Sequence, residues 1–389
     1  MVVALVHDWL NGMRGGESVL QAIASIFPRA GIYTLFCDPD TISPELNKHV
    51  ITTSFIQNLP GRKKHYRYYL PLFPRAIESI DLKDSDLVIS SSHCVAKGAL
   101  TGQENLHICY CHSPMRYVWD RFDDYFPKNG MNTLKFKTIS YFAKRLREWD
   151  IRSSGRVDLF IANSNFVRAR IKNYYNRPAK VIYPPVDTQY YTPGGGGNED
   201  YYLAAGALVP YKKIDLVIEA FRGLDEKLIV VGDGPELPRL ANIASRNVKF
   251  IGWVDRETLR DYYRGCKALI FPGVEDFGII PVEAQACGKP VIAYAEGGIT
   301  DTVIGPSLEE AQGYSGFKSG LFFRNQTIGE IRRALKIFPS INFDPSAIRE
   351  HAARFSKERF FSEINEFLNE AVGLFKNQGK FKLEERLVR

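Results

Sequence analysis

Short apolar runs recur along the whole chain and restrict its architecture more than any other feature. VVALVHD, DLVISSS, LHICYCHS, DLFIANS and KVIYPPV fall in the first half, and YYLAAGAL, KLIVVGD, VKFIGW, ALIFPG and PVIAYA in the second. Most are apolar at consecutive positions, so both faces of the strand are buried, and helix-length segments separate many of them. A strand with one wet face would alternate instead. The pattern is that of βαβ units and parallel sheets, and it predicts an α/β protein with two Rossmann-like domains.

Length agrees, because 389 residues exceed what one core usually organises and suffice for two domains with a cleft. PPVDTQYYTPGGGGNED (184–200) supplies the boundary: its prolines disfavour regular structure and its glycines resist ordering. We expect a first domain over 1–184, a linker over 185–200 and a nucleotide-binding domain over 201–350. C-terminal helices over 351–389, read from AIREHAARF and FFSEINEFLNEAVGLF, could dock back onto the first domain.

The opening run MVVALV stops at His7 and Asp8, and no segment approaches the roughly 18 apolar residues of a spanning helix, so a cytoplasmic protein is expected. Six cysteines without CxxC spacing read as reduced and structural. The net charge of +7 is unevenly placed: RKKHYRYYLPLFPR (62–75) and KFKTISYFAKRLREW (135–149) mix bases with aromatics. A solvated helix face is the plain reading. The sharper one is peripheral contact with the inner face of the membrane, where bases meet anionic head groups while Tyr66, Tyr68, Tyr69, Leu70, Phe73, Phe136, Tyr141 and Phe142 enter the acyl boundary. No nucleic-acid motif accompanies the charge, and no nucleic-acid partner is expected.

The stretch EDFGIIPVEAQACGKPVIAY (275–294) carries the chemistry. ALIFP before it reads as a buried strand, GVEDFG as the loop after that strand, and IIPVEAQAC as a helix with Pro281 in its first turn, stopped by Gly288. Glu275 then stands at the carboxyl end of a parallel strand and Glu283 in the first turn of the helix. Ligands of open parallel sheets bind at such ends, and unpaired amides near Gly278, Ile279 and Ile280 suit an anion. A diphosphate fits there, and two carboxylates, which only accept hydrogen bonds, suit hydroxyls on either side of it. Taken singly, Glu283 reads as a dipole complement and Glu275 as a solvated acid; paired around one helix start they point to a nucleotide sugar. A glycosidase would need both carboxylates about one glycosidic bond, for which Glu283 is badly placed.

The same stretch resembles the E-x7-E region of the retaining glycosyltransferases of family 4. YLAAGALVPYKKIDLVIEAF, VVGDGPE, FIGWV and PVIAYAEGGITD follow in that family's order, so the resemblance covers nearly the whole chain. HDWLNGMRGGE, SSSHCVAKG, CHSPMRYVWD and IANSNFVRARI resemble its bacterial GDP-mannose-dependent branch. The resemblance implies the GT-B fold, in which two Rossmann-like domains face each other across a cleft. It implies transfer of a hexose, mannose from GDP-mannose first, to a lipid-linked or polysaccharide glycan. A UDP-sugar donor (glucose, galactose or N-acetylglucosamine) is the alternative, and a non-enzymatic nucleotide-sugar-binding protein the remaining class.

Residue by residue, the resemblance implies that Glu283 accepts from the ribose hydroxyls and that Glu275 holds the hexose near the developing oxocarbenium charge. Phe277, Gly278 and Ile279 would present amides to sugar and diphosphate, and Lys212 would offset charge on the leaving diphosphate. The family's arginine five positions earlier is Ala207 here, so Lys213 or Arg14 is the expected substitute. Gly15 and Gly16 open bare backbone after the first strand, His112 matches a histidine that contacts the hexose, and Trp253 offers its backbone to the base with its ring in the core. Ser164 reads as a helix N-cap, with Asn163 and Arg168 toward the cleft and Asp8 on the acceptor side. His7, His93 and Lys97 share that placement without an assigned role. No metal is expected, since lysine and amides can supply the charge compensation.

Overall fold

The computed structural model describes residues 1–126, 128, 132–194, 200–380 and 383–388, with the backbone alone at Asp124. The chain forms two compact units, Met1–Pro185 with Phe360–Arg389 and Val186–Arg359. Division therefore falls between Pro185 and Val186 and again between Arg359 and Phe360. The described part of the expected linker, 186–194, belongs to the second unit, and the glycines at 195–197 lie outside the described residues.

The first unit holds seven strands: β1 (Val3–His7), β2 (Gly31–Thr34), β3 (Ile51–Thr53), β4 (Leu87–Ser92), β5 (Leu106–Cys111), β6 (Leu159–Ala162) and β7 (Lys180–Val181). They lie in the order β3-β2-β1-β4-β5-β6-β7, every pairing parallel. β4 and β5 are buried at every position, as their unbroken apolar and small-residue runs require of central parallel strands. The helix Lys357–Gln378 buries Phe360, Ile364, Phe367, Leu368 and Ala371 in the same core as Leu5, Ile32, Ile89 and Ile108. Its apolar positions recur three to four apart, so one stripe meets the sheet.

The second unit repeats the plan with six strands: β8 (Tyr201–Ala205), β9 (Lys227–Val231), β10 (Val248–Gly252), β11 (Leu269–Phe271), β12 (Val291–Tyr294) and β13 (Gly320–Phe323), in the order β10-β9-β8-β11-β12-β13 and all parallel. In each sheet the chain winds outward from one strand and then reverses. The switch points lie between β1 and β4 and between β8 and β11, where loops diverge and leave room beyond the carboxyl ends of the strands.

Candidate functional site

At the second switch point, the loop after β8 carries Lys212 and the loop after β11 carries Glu275. Parallel pairing of β11 with β8, Leu269 opposite Leu203, aims both loops the same way. Lys212 Nζ lies 2.5 Å from Glu275 Oε1, both side chains less than one fifth exposed. The pair is a close ionic contact outside hydrogen-bond geometry. The ammonium also sits 5.7 Å from the centre of the Phe271 ring, which holds the lysine stem against the strand end.

Phe277 and Gly278 lead into the helix Ile279–Ala286. Gly278 is its N-cap in left-handed conformation (φ 92°), and no side chain caps the helix, so its first amides remain for an anion. Phe277 is buried against Phe355, ring centres 5.7 Å apart. The loop is braced from behind by the turn after β12: Gly298 N donates to Glu275 O at 2.8 Å. A Cβ on Gly298 would stand 2.3 Å from Asp276 O and 2.5 Å from Phe277 Cα, so only glycine permits this approach. EGGITD thus shapes the Glu275 loop, a structural duty that spacing alone does not reveal.

Glu283 is the fifth residue of the helix Ile279–Ala286 and lies in its second turn, one turn later than expected. The helix ends as anticipated, with Gly288 in left-handed conformation (φ 78°) and its amide on Gln285 O. Tyr263 OH donates to Glu283 Oε2 at 2.9 Å. Burial raises the Glu283 carboxyl from the ordinary range to about 7, against the opposing pull of the Tyr263 and Tyr191 hydroxyls and the Arg256 charge. The sequence singles out neither tyrosine: TQYYT falls in the expected linker, and LRDYYRG carries no motif.

Lys213 adopts left-handed backbone (φ 55°) as N-cap of the helix Ile214–Ala220. Trp253 corrects its expectation. The ring is 78% exposed, because it follows Gly252 (φ 83°) at the end of β10, where the strand leaves the sheet and no layer covers it.

The first switch point gathers a second cluster. Gly15 and Gly16 begin the helix Gly15–Ile26, and a Cβ on Gly16 would lie 3.7 Å from His112 Nε2 and 3.6 Å from His7 Cε1. Ser91 Oγ bridges the two imidazoles, 2.8 Å from His112 Nε2 and 3.1 Å from His7 Nδ1. Burial, reinforced by His93 and His7, lowers His112 to about 3 and keeps it neutral. Asn163 Nδ2 donates to His112 O at 3.0 Å, and Ser164 Oγ accepts from Val167 N as the expected N-cap.

Asp8 has a structural duty in place of the acceptor-side role expected of it. Its carboxylate accepts from the amides of His93, Cys94, Val95 and Ala96 at 2.6–3.0 Å and from His93 Nδ1 at 3.0 Å. Burial opposes ionisation, yet His93 and His7 together with the amide bond hold the carboxyl well below its usual range. Lys97 is likewise committed, 2.5 Å from Asp150 Oδ1 and fully buried.

Known proteins resemble the chain in sequence and in fold. Residues 13–190 match the model of Glycosyltransferase Family 4 and residues 194–314 that of Glycosyl transferases group 1, about three quarters of the chain between them. The fold is GT-B, and each half of the chain carries a stretch that matches a glycosyltransferase family model. It is 30% identical over 152 residues to an uncharacterised glycosyltransferase of Methanocaldococcus jannaschii, covering 38% of this chain and 43% of that protein. It is 30% identical over 228 residues to a D-inositol 3-phosphate glycosyltransferase of Mycolicibacterium smegmatis, covering 51% of this chain and 50% of that one. The alignments thus span about half the length of these curated relatives or less. Among solved structures, the chain resembles a sucrose-phosphate synthase of Thermosynechococcus elongatus with a TM-score of 0.67 at 18% identity, covering 95% and 99% of the two chains. It also resembles Anabaena HepE in complex with UDP-glucose, TM-score 0.65 at 17% identity, covering 95% and 100%. At these identities the likeness shows the fold.

Proposed function

We propose that the chain is a retaining hexosyltransferase that moves mannose from GDP-mannose to a lipid-linked or polysaccharide glycan. The observation carrying the reading is the Lys212–Glu275 contact at 2.5 Å beside the uncapped helix at Ile279. One cation and free amides face a leaving diphosphate, and a carboxylate at the same point faces the sugar it leaves. In a retaining transfer the acceptor hydroxyl arrives on the face the diphosphate departs, so the leaving phosphate oxygen can take its proton and no strong protein base is needed. The protein's task is orientation and charge stabilisation. Glu283 then accepts from the ribose, and His112, neutral and held by Ser91, serves as a hydrogen-bonding partner for the hexose.

A UDP-sugar donor is the second reading, favoured by the UDP-glucose complex of the structurally similar HepE. Radiolabelled GDP-mannose and UDP-glucose, each with a polyprenyl-diphosphate glycan in EDTA, separate the two. GDP-mannose should label the lipid without added metal, because Lys212 and the amides carry the diphosphate charge. Labelling from UDP-glucose alone would replace the donor, and labelling from neither would remove the activity.

The proposal includes peripheral contact of the first unit with anionic lipid. No helix among the described residues is long and apolar enough to cross a membrane. Tyr68, Leu134, Tyr141 and Phe142 are exposed, at 81%, 73%, 54% and 42%, and exposed Lys63, Lys64, Arg67 and Arg145 accompany them. Tyr66 and Phe73 depart from the expected insertion set: both are buried around Trp9. Arg62 binds Asp38 at 2.7 Å and is structural. Replacing Lys63, Lys64 and Arg67 with serine should weaken sedimentation with phosphatidylserine vesicles at least tenfold at low salt, at roughly 1 kcal/mol per base near the surface. Unchanged sedimentation would leave a solvated face.

A further inference from the structure

We infer that Tyr263 is a positioning residue for the donor nucleotide, holding Glu283 Oε2 so that the rest of the carboxylate faces the ribose diol. The inference rests on the nucleotide-sugar reading and adds a residue to it. Tyr263 is fully buried and its phenol has one hydrogen, which goes to Oε2 at 2.9 Å. It is held in turn by the Tyr191 ring, 5.8 Å away and edge-on.

Tyr191 is itself fixed to the carboxylate's helix, because Arg349 Nη1 donates to Tyr191 O at 3.1 Å and to Ala286 O at 2.9 Å. Arg256 lies 4.5 Å from the centre of the Tyr190 ring and 5.6 Å from that of Tyr191, and it donates to Asp187 Oδ2 at 3.2 Å. Lys357 Nζ donates to the same oxygen at 2.6 Å. These contacts fix the neighbours of Glu283 on the elements around it, so that the one hydrogen bond from Tyr263 sets the direction of its carboxylate.

The groups that face Glu283 are Tyr263, Tyr191 and Arg256, which favour its charged form, and Asp187, which opposes it; Cys287, the C-cap of the same helix, is also near. Arg260 and Arg349 lie beyond, Arg260 over Tyr190 at 4.6 Å. Burial places the Glu283 titration near neutrality, at about 7. Ionised Glu283 accepts hydroxyls better than the neutral acid, so affinity for nucleotide should rise as pH passes upward through that value. Losing the Tyr263 hydroxyl, a donor to the charged form, should move the rise to higher pH.

Calorimetric titration of GDP and UDP into parent, Tyr263→Phe, Tyr191→Phe and Glu283→Gln proteins from pH 5.5 to 9 tests this. The Glu283→Gln protein reports the nucleotide's own phosphate titration. We expect the Tyr263→Phe midpoint roughly one pH unit above the parent's, with about tenfold weaker binding at pH 6.5 and near-parental binding at pH 9. Tyr191→Phe should shift the same way and carries the test if Tyr263→Phe unfolds. Coincident midpoints in parent and tyrosine variants overturn the positioning role while nucleotide binding stands. A parent profile that matches Glu283→Gln also overturns it, by removing Glu283 from the ligand. A parent that binds neither nucleotide ends both readings.

Discussion

Glu275→Gln is expected to bind GDP within about twofold of the parent and to transfer sugar roughly a hundredfold more slowly, the scale of losing one electrostatic contact made in the transition state. The amide keeps the size of the side chain and an acceptor oxygen, so the loop braced by Gly298 N on Glu275 O should keep its course. What it loses is the charge. Positive charge developing on the anomeric carbon has then no carboxylate beside it, while diphosphate binding, which uses Lys212 and the amides after Gly278, is spared. Isothermal titration of GDP with single-turnover transfer separates the two effects. Equal transfer by mutant and parent would take Glu275 out of the chemistry. A parallel loss of binding and transfer would make it a donor ligand only.

Most of the sheet architecture is legible in the sequence because strands buried on both faces leave uninterrupted apolar runs. Ten of the thirteen strands lie in such runs. β2, β3 and β13 do not stand out: GIYT, ITT and GLFF are four residues or fewer, and the edge strand β3 and its neighbour β2 keep intermediate or exposed positions. Glu275, Glu283 and Lys212 are legible as separate residues because their positions relative to strand ends and helix starts are local properties. Their partners are not. Tyr263 precedes Glu283 by 20 positions, and contact depends on how the helix Arg256–Gly265 crosses the helix Ile279–Ala286. Gly298 reaches the Glu275 loop only because β12 lies beside β11. Asp8 shows the opposite limit: an acid after a strand reads as an acceptor-side group in sequence, and only the fold shows four amides converging on it.

Lys212→Met should reduce transfer by about a hundred- to a thousandfold and also weaken GDP binding, in contrast to Glu275→Gln. Methionine keeps a stem that can pack on Phe271 and removes only the charge. The substitution has two consequences that act together. A diphosphate loses its cation, and Glu275, less than one fifth exposed, loses the ammonium that lies 2.5 Å from it. An unpaired acid there repels the incoming diphosphate, so part of the loss belongs to Glu275 and not to the missing lysine. The double variant Lys212→Met/Glu275→Gln isolates that part. For GDP binding it should recover a measurable share of what Lys212→Met loses, whereas independent residues would give additive losses. For transfer the double variant should be no faster than either single one, because the hexose then lacks its carboxylate and the leaving group its cation. Strict additivity in binding would mean that the two side chains act separately on the ligand, and undiminished GDP affinity in Lys212→Met would move the diphosphate away from the loop after β8.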